Sequence, residues 1–189
     1  STFLDEYALE LIKYPFLLVE IAGHSDSRED SLSNLDVSLN RAKNAYHYLI
    51  KQGVDPSQLS YVGYGNTKPV SSIHDENRRV DLLLKEISCQ ISFSKNSDVI
   101  SKSDKLILDK IVFILSSIQD CYIEIGGHAD SGSGNEDVNK NISLLRAQRV
   151  YNYLKTRGGD LTNVTYKGYG STLPLYDDIR DRRVEFTVY

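Results

Sequence analysis

The sequence has no block of Lys and Arg, and its 189 residues carry a formal charge of −4. The basic face that displaces counterions from phosphates is missing, which argues against a general nucleic-acid binder. No apolar run reaches the roughly 18 to 20 residues of a membrane-spanning helix. The longest, Tyr14 to Ala22, is broken by Pro15 and Glu20. Cysteine is scarce too: Cys89 and Cys121 are too few for a disulfide framework and wrongly spaced for a zinc site, so they read as buried or strand thiols. His24 and His128 each stand two residues before an Asp, but one imidazole and one carboxylate make half a metal-ligand set. No metal or cofactor is expected, and each His reads as a residue bonding loop backbone.

What the chain does have is itself, twice. Asp26 and Asp130 lie 104 residues apart, Arg41 and Arg146 105, Gly63 and Gly168 105, and Arg78 and Arg182 104. Between these anchors VEIAGHSD matches IEIGGHAD, SLNRAKNAYHYL matches SLLRAQRVYNYL, YVGYGNTKP matches YKGYGSTLP, and NRRVDLLL matches DRRVEFTVY. So many agreements in one order mark a tandem duplication. With about 40% apolar residues, the length suits two small domains, read as 1–87 and 88–189. No nucleophile beside a base, and no pair of carboxylates in contrasting environments, recurs with the repeat, so an enzyme is not expected.

Periodicity supplies the elements. VEIAG and IEIGG are short alternating runs that end in Gly and read as strands opening into a polar loop. From Asn34 an amphipathic helix is predicted with Leu35, Leu39, Ala42, Tyr46 and Leu49 on its apolar face and Gly53 as its stop. Ile142, Leu145, Val150 and Leu154 repeat it before Gly158 and Gly159. LSYVGYG and VTYKGYG read as strands, and each Arg-Arg-Val opens a last strand. The second unit is preceded by a strand, SCQISFS, and by a helix over about Ser103 to Ser117 with Leu106, Ile107, Lys110, Ile111, Ile114 and Leu115 as its stripe. The first unit has the matching helix, Phe3 to Ile12, and the strand before it is read as lying upstream of residue 1. Strands alternating with helices predict a sheet with helices on one face in each unit. The short step from Leu84 to Gln90 predicts a close-packed pair.

The strand ending in Gly-His-x-Asp sets a carboxylate at the mouth of each sheet. Arg41, about two turns into the next helix, can fold its guanidinium back toward that loop, and Asn34 is placed to cap the helix. Held near each other without pairing, Asp26 and Arg41 suit a ligand that carries an ammonium and a carboxylate, with the Arg fork on the carboxylate. The alternative is a plain salt bridge that fixes the loop. Spacing alone leaves both open.

G-H-[ST]-D, a loop, N-x-x-x-S-x-x-R-A, then G-Y-G-x-x-x-P and N-R-R-V together resemble the OmpA C-terminal domain family, which includes the Pal lipoproteins and the periplasmic part of MotB. The resemblance covers nearly the whole chain, twice. It implies an α+β fold of two tandem β-α-β-α-β domains, each a small mixed sheet with helices packed on one face. It also implies a periplasmic, non-catalytic peptidoglycan binder whose membrane tether lies outside these residues. In that family the Asp and the helix Arg hold the diaminopimelate of the stem peptide. Carried over, the implied site is Ser25, Asp26, Asn34, Arg41 and Arg78 in the first unit. In the second it is Asp130, Asn139, Arg146 and Arg182, with Ala129 beside the Asp.

The sequence departs from the family pattern in places. Family members usually have about a dozen residues between the Pro and the N-R-R; here Pro69 and Asn77 enclose seven, and Pro174 and Asp181 enclose six. Asp181 replaces the Asn and is expected to pair with Arg182 or Arg146. The Asp130 to Asn139 loop is one residue longer. The first unit is therefore read as the better site and the second as a candidate structural copy. The competing function is a module that lost its ligand and serves protein contacts in an envelope assembly such as a motor or secretion machine.

Overall fold

The structure, a computed structural model, describes residues 3–27, 31–116, 121–175 and 180–189. They fall into two compact units, Ser1–Glu86 and Ile87–Tyr189.

Unit 1 begins with helix α1 (Phe3–Lys13), followed by strand β1 (Leu17–Gly23), helix α2 (Ser31–Lys51), strand β2 (Leu59–Gly63), one helical turn α3 (His74–Asn77) and strand β3 (Val80–Ser92), within which the division between the units falls. β1 lies between β2 and β3. β1 and β2 run parallel from Val19↔Leu59 to Gly23↔Gly63, so both strands end on a glycine at the same level. α2 stops where the sequence predicts: Gly53 takes φ +101 and donates its N–H to the Ile50 carbonyl at 2.9 Å. α1 docks on α2 with Ala8 and Leu11 buried, and the Tyr48 hydroxyl donates to Asp5.

Unit 2 comprises the second part of β3, helix α4 (Lys102–Leu115), strand β4 (Ile123–Gly127), helix α5 (Glu136–Thr156), strand β5 (Val164–Gly168) and strand β6 (Arg183–Val188). The strand order is β3-β6-β4-β5. β4 pairs parallel with β5, and β6 runs antiparallel to both β4 and β3. Ser101 caps α4 by accepting the Asp104 N–H at 3.0 Å. Tyr153 of α5 donates to Asp109 of α4 at 2.9 Å, which repeats the Tyr48–Asp5 tie.

The helices turn the predicted faces inward only in part: Ala42, Leu49, Val150 and Leu154 are buried as expected, and several of the leucines are not. Leu35 and Leu39 of α2 are exposed, and the buried line is Ser38, Ala42, Ala45 and Leu49. In α5, Leu145 is exposed while Asn139, Ser143, Arg146, Ala147, Val150 and Leu154 are buried. The cause is close approach: a Cβ on Gly23 would sit 1.9 Å from the Ser38 carbonyl oxygen, and one on Gly127 2.0 Å from that of Ser143. Where helix backbone touches strand backbone only Ser and Ala fit, so the leucines are turned to the flanks. In α4 the stripe is Leu108, Ile111, Ile114 and Leu115, with Leu106 exposed; the predicted end at Ser117 lies outside the described residues. Cys89, in β3, and Cys121 are free thiols of intermediate exposure, and burial pushes the Cys89 pKa up to about 12.

Candidate functional site

Each site is built where a parallel strand pair ends. Ser25 donates its N–H to the Gly65 carbonyl at 2.8 Å, and Tyr64 donates to the Gly23 carbonyl at 2.9 Å, so the two loops leaving β1 and β2 are laced together. Ser38 adds a pin from the helix, its hydroxyl donating to the Leu35 carbonyl and accepting the Gly65 N–H at 2.9 Å. Unit 2 repeats the lacing: Ala129 N–H to the Gly170 carbonyl, Tyr169 N–H to the Gly127 carbonyl, and Gly170 N–H to the Ser143 hydroxyl.

Asp26 and Asp130, carried on those loops, are both buried. Asp26 lies 3.8 Å from Arg78 Nε, and Asp130 lies 3.6 Å from Arg182 Nε. The first arginine of each Arg-Arg pair thus faces the loop aspartate. Arg78 is also paired with Asp75 and keeps 38% of its side chain exposed, against 15% for Arg182.

The helix arginines bind backbone. Arg41 Nη1 donates to the His24 carbonyl at 2.7 Å, and Arg146 Nη1 to the His128 carbonyl at 2.8 Å. Among the described residues neither is ion-paired with the loop aspartate, so the plain Asp26–Arg41 salt bridge is not what fixes this loop. Beyond that shared bond the copies part. Arg146 also donates from Nε to the Ser97 carbonyl at 3.0 Å and from Nη2 to the Ser94 carbonyl at 3.1 Å, with Phe93 beneath it, and is 1% exposed. Burial is the main influence that lowers its pKa, with Asp130 opposing. Arg41 is half-buried.

Two expectations are corrected. Asn34 is not a cap: it lies inside α2 and is buried, as its counterpart Asn139 lies inside α5, whose cap is Asn135, accepting the Val138 N–H at 3.0 Å. Asn139 instead donates to the Gly134 carbonyl and the Ser171 hydroxyl, each at 3.4 Å. Asp181 pairs with neither Arg182 nor Arg146; it accepts the Leu175 N–H at 2.6 Å and lies 3.6 Å from Arg183 Nη1. It fills the role of Asn77, whose amide bridges Val70, Ser71 and Ile73.

Sequence reasoning missed the ring of side chains behind each loop. The His24 ring stacks on Tyr64 with centroids 5.6 Å apart, and its Nε2 lies 3.1 Å from Asp81 Oδ2. Arg79 Nε donates to both Asp81 oxygens, and the Tyr64 hydroxyl donates to Glu20 at 2.9 Å. In unit 2 His128, Tyr169, Glu185, Arg183 and Glu124 repeat the arrangement, with Arg183 Nε donating to Glu185 Oε2 at 2.9 Å, and His128 with Arg183 holds the Glu185 pKa down at about 2. The signal was in the duplicated text, since Glu, His, Tyr, an acid and the second Arg recur in both copies, but alternation alone does not say that they meet.

Among the described residues Ser25 Oγ, Asn139 Oδ1 and Arg182 Nε are buried without a hydrogen bond. Buried polar groups seldom go without one; Ser25 Oγ lies at the cleft of unit 1, next to Asp26, and Asn139 Oδ1 and Arg182 Nε lie at the cleft of unit 2, around Asp130. Such a cleft offers acceptors to an ammonium and donors to a carboxylate.

Comparison with known proteins follows the same division. The OmpA family model matches residues 4–81 and again 92–185. The peptidoglycan-associated lipoprotein of Pseudomonas aeruginosa is 44% identical over 84 residues, covering 42% of this chain and 49% of that protein. Outer membrane porin F of Pseudomonas fluorescens is 40% identical over 76 residues, 38% of this chain and 23% of the porin. The chain thus spans about half or less of the length of these curated relatives. Among solved structures, the peptidoglycan-associated lipoprotein of Burkholderia pseudomallei matches with TM-score 0.50 and 20% identity over 53% of this chain and 89% of that one. The C-terminal domain of Helicobacter pylori MotB matches with TM-score 0.50 and 22% identity over 53% and 84%. At these identities the likeness is one of fold.

Proposed function

The chain belongs to the OmpA family, and on that premise we propose that it binds peptidoglycan without cleaving it and anchors an envelope protein or assembly to the cell wall. The ligand is the stem peptide, held by its diaminopimelate residue. Asp26 takes the ammonium, and Arg41 takes the carboxylate, with Ser25, Asn34 and Arg78 lining the cleft. The place of action is the periplasm. The observation that carries this reading is that Arg41 and Asp26 share one loop, through the bond from Arg41 to the His24 carbonyl, without being paired to each other. A zwitterionic head group satisfies both charges at once, and charge-assisted bonds of this kind are each worth about 1.5 to 3 kcal/mol. Relatives named peptidoglycan-associated lipoprotein point the same way.

A specific observation favours a second reading for unit 2. Three N–H donors of Arg146 are already committed to the carbonyls of Ser94, Ser97 and His128. A ligand carboxylate at Asp130, Asn139, Arg146 and Arg182 would have to displace that lacing, so unit 2 serves as a structural copy or a protein-contact module. Sedimentation with purified sacculi tests the proposal. The chain should co-sediment, and Asp26→Ala combined with Arg41→Ala should abolish it, whereas unchanged retention of the double variant would overturn the assignment.

A further inference from the structure

We propose that His24 is a positioning residue: its buried imidazole, wedged between the Tyr64 ring and the Asp81 carboxylate, holds the peptide carbonyl onto which Arg41 is hydrogen-bonded. Strand alternation sends this ring to the sheet face away from α2, so it acts on Arg41 only through its own backbone. The wedge is tight. His24 is 2% exposed, stacks nearly parallel to Tyr64 at 14°, and donates its backbone N–H to the Arg79 carbonyl at 2.9 Å. Its two walls are braced in turn: Arg79 Nε bridges both Asp81 oxygens at 3.1 and 3.0 Å, and Tyr64 is tied by its hydroxyl to Glu20 and by its N–H to Gly23. The bond from Arg41 Nη1 to the His24 carbonyl, 2.7 Å, is the one that restrains this guanidinium among the described residues. Arginine carries about 2 kcal/mol of rotamer entropy, so a carbonyl free to rock would release the fork.

The second unit supplies the control. His128 stands in the same wedge, 1% exposed, 5.3 Å from Tyr169 and 3.1 Å from Glu185. Yet Arg146 keeps two further carbonyls, those of Ser94 and Ser97. The wedge is therefore redundant in unit 2. The groups facing His24 are Asp81 and Arg79 at the start of β3, Tyr64 and Lys68 in the turn after β2, and Arg41 on α2 behind the peptide. Burial, then Arg79, hold the imidazole pKa below its ordinary value. Nε2 meets Asp81 Oδ2 at 3.1 Å without forming a hydrogen bond, and protonating the ring adds a cation beside Arg79 and Lys68.

The test is the heteronuclear NOE of the Arg41 and Arg146 Nε–H groups in the full chain, which needs no ligand. In His24→Ala, Arg41 should lose about half or more of its NOE, as an unrestrained side chain does, while Arg146 is unchanged. His128→Ala should leave Arg146 ordered, and His24→Gln, which refills part of the wedge, should restore part of the Arg41 signal. Should His24→Ala fail to fold, acid titration of the wild type replaces it, with the Arg41 NOE falling in step with protonation of the His24 ring. An Arg41 that stays ordered in folded His24→Ala, or through that titration, overturns the proposal. The consequence for binding rests on the cell-wall reading: a diaminopimelate muropeptide should bind folded His24→Ala about tenfold more weakly, the loss of roughly 1.4 kcal/mol. A wild type that ignores the muropeptide sinks that reading, and the Arg41 NOE still decides the wedge.

Discussion

Arg41 and Arg146 occupy one position of the repeat, on the same turn of α2 and α5, and each reaches the carbonyl of the histidine before the loop aspartate. From there their environments diverge. Arg146 is enclosed by the turn after β3, where Asn96 adopts φ +52 and the carbonyls of Ser94 and Ser97 point at the guanidinium, while Arg41 stays half-buried. The frame around both arginines is the same: glycine-ended parallel strands, a serine pin, and a histidine stacked on a tyrosine. The duplicated motif therefore duplicates a scaffold, and in unit 2 the turn after β3 adds two carbonyls to its arginine.

The largest expected effect breaks the frame common to both units. Gly23→Ala and Gly127→Ala each drive a Cβ to within about 2 Å of a helix carbonyl, so each should cost about 4 kcal/mol or more in denaturant unfolding, alike in the two copies. The arginines should then separate them. Arg146→Ala leaves three carbonyls without their donor in a closed site and should cost about 3 kcal/mol. Arg41→Ala should cost about 1 kcal/mol or less on the same measurement.

Acidity gives the next effect. The His24 pKa is depressed, so the unfolded chain takes up that proton first, and stability is full above the ordinary imidazole range near 6.5 and lost as pH falls below it. Glu185, held at about 2 against an ordinary 4.5, loses its contribution as pH falls from 4.5 toward 2. Both changes run the same way. The second should amount to about 2 kcal/mol once solvent screening of a partly exposed carboxylate is allowed for, and Glu185→Gln should flatten that part of a stability-versus-pH curve. The residues before the Arg-Arg pairs should respond unequally to exchange. Asn77→Asp loses the donor to Ser71 and Ile73 and should cost about 1 to 2 kcal/mol, whereas Asp181→Asn keeps the acceptor for Leu175 and should cost about 0.5 kcal/mol.

Much of this was legible in the sequence, and the failures share a cause. The strands and the stops at Gly53 and Gly158 follow from period and glycine, while a place for Arg78 beside Asp26 is implied by the family resemblance alone. The inward faces of α2 and α5 followed only in part: Ala42, Leu49, Val150 and Leu154 are buried, but hydrophobicity also points to Leu35, Leu39 and Leu145, while backbone contact at Gly23 and Gly127 brings in Ser38 and Ser143. Asn34 looked like a cap because an Asn before an apolar helix usually is one; in the second unit its counterpart Asn139 lies inside α5, and Asn135, four residues earlier, is the cap. The partners of His24, Asp181 and Arg146 are long-range, and spacing along the chain does not reveal them.

Titration of the 15N-labelled chain with a diaminopimelate-containing muropeptide tests the unequal clamps most directly. The account predicts amide shifts clustered at Ser25, Asp26, Asn34, Arg41 and Arg78, with Asp130, Asn139, Arg146 and Arg182 unmoved. Shifts confined to the second cluster, or equal in both at the same ligand concentration, would contradict it.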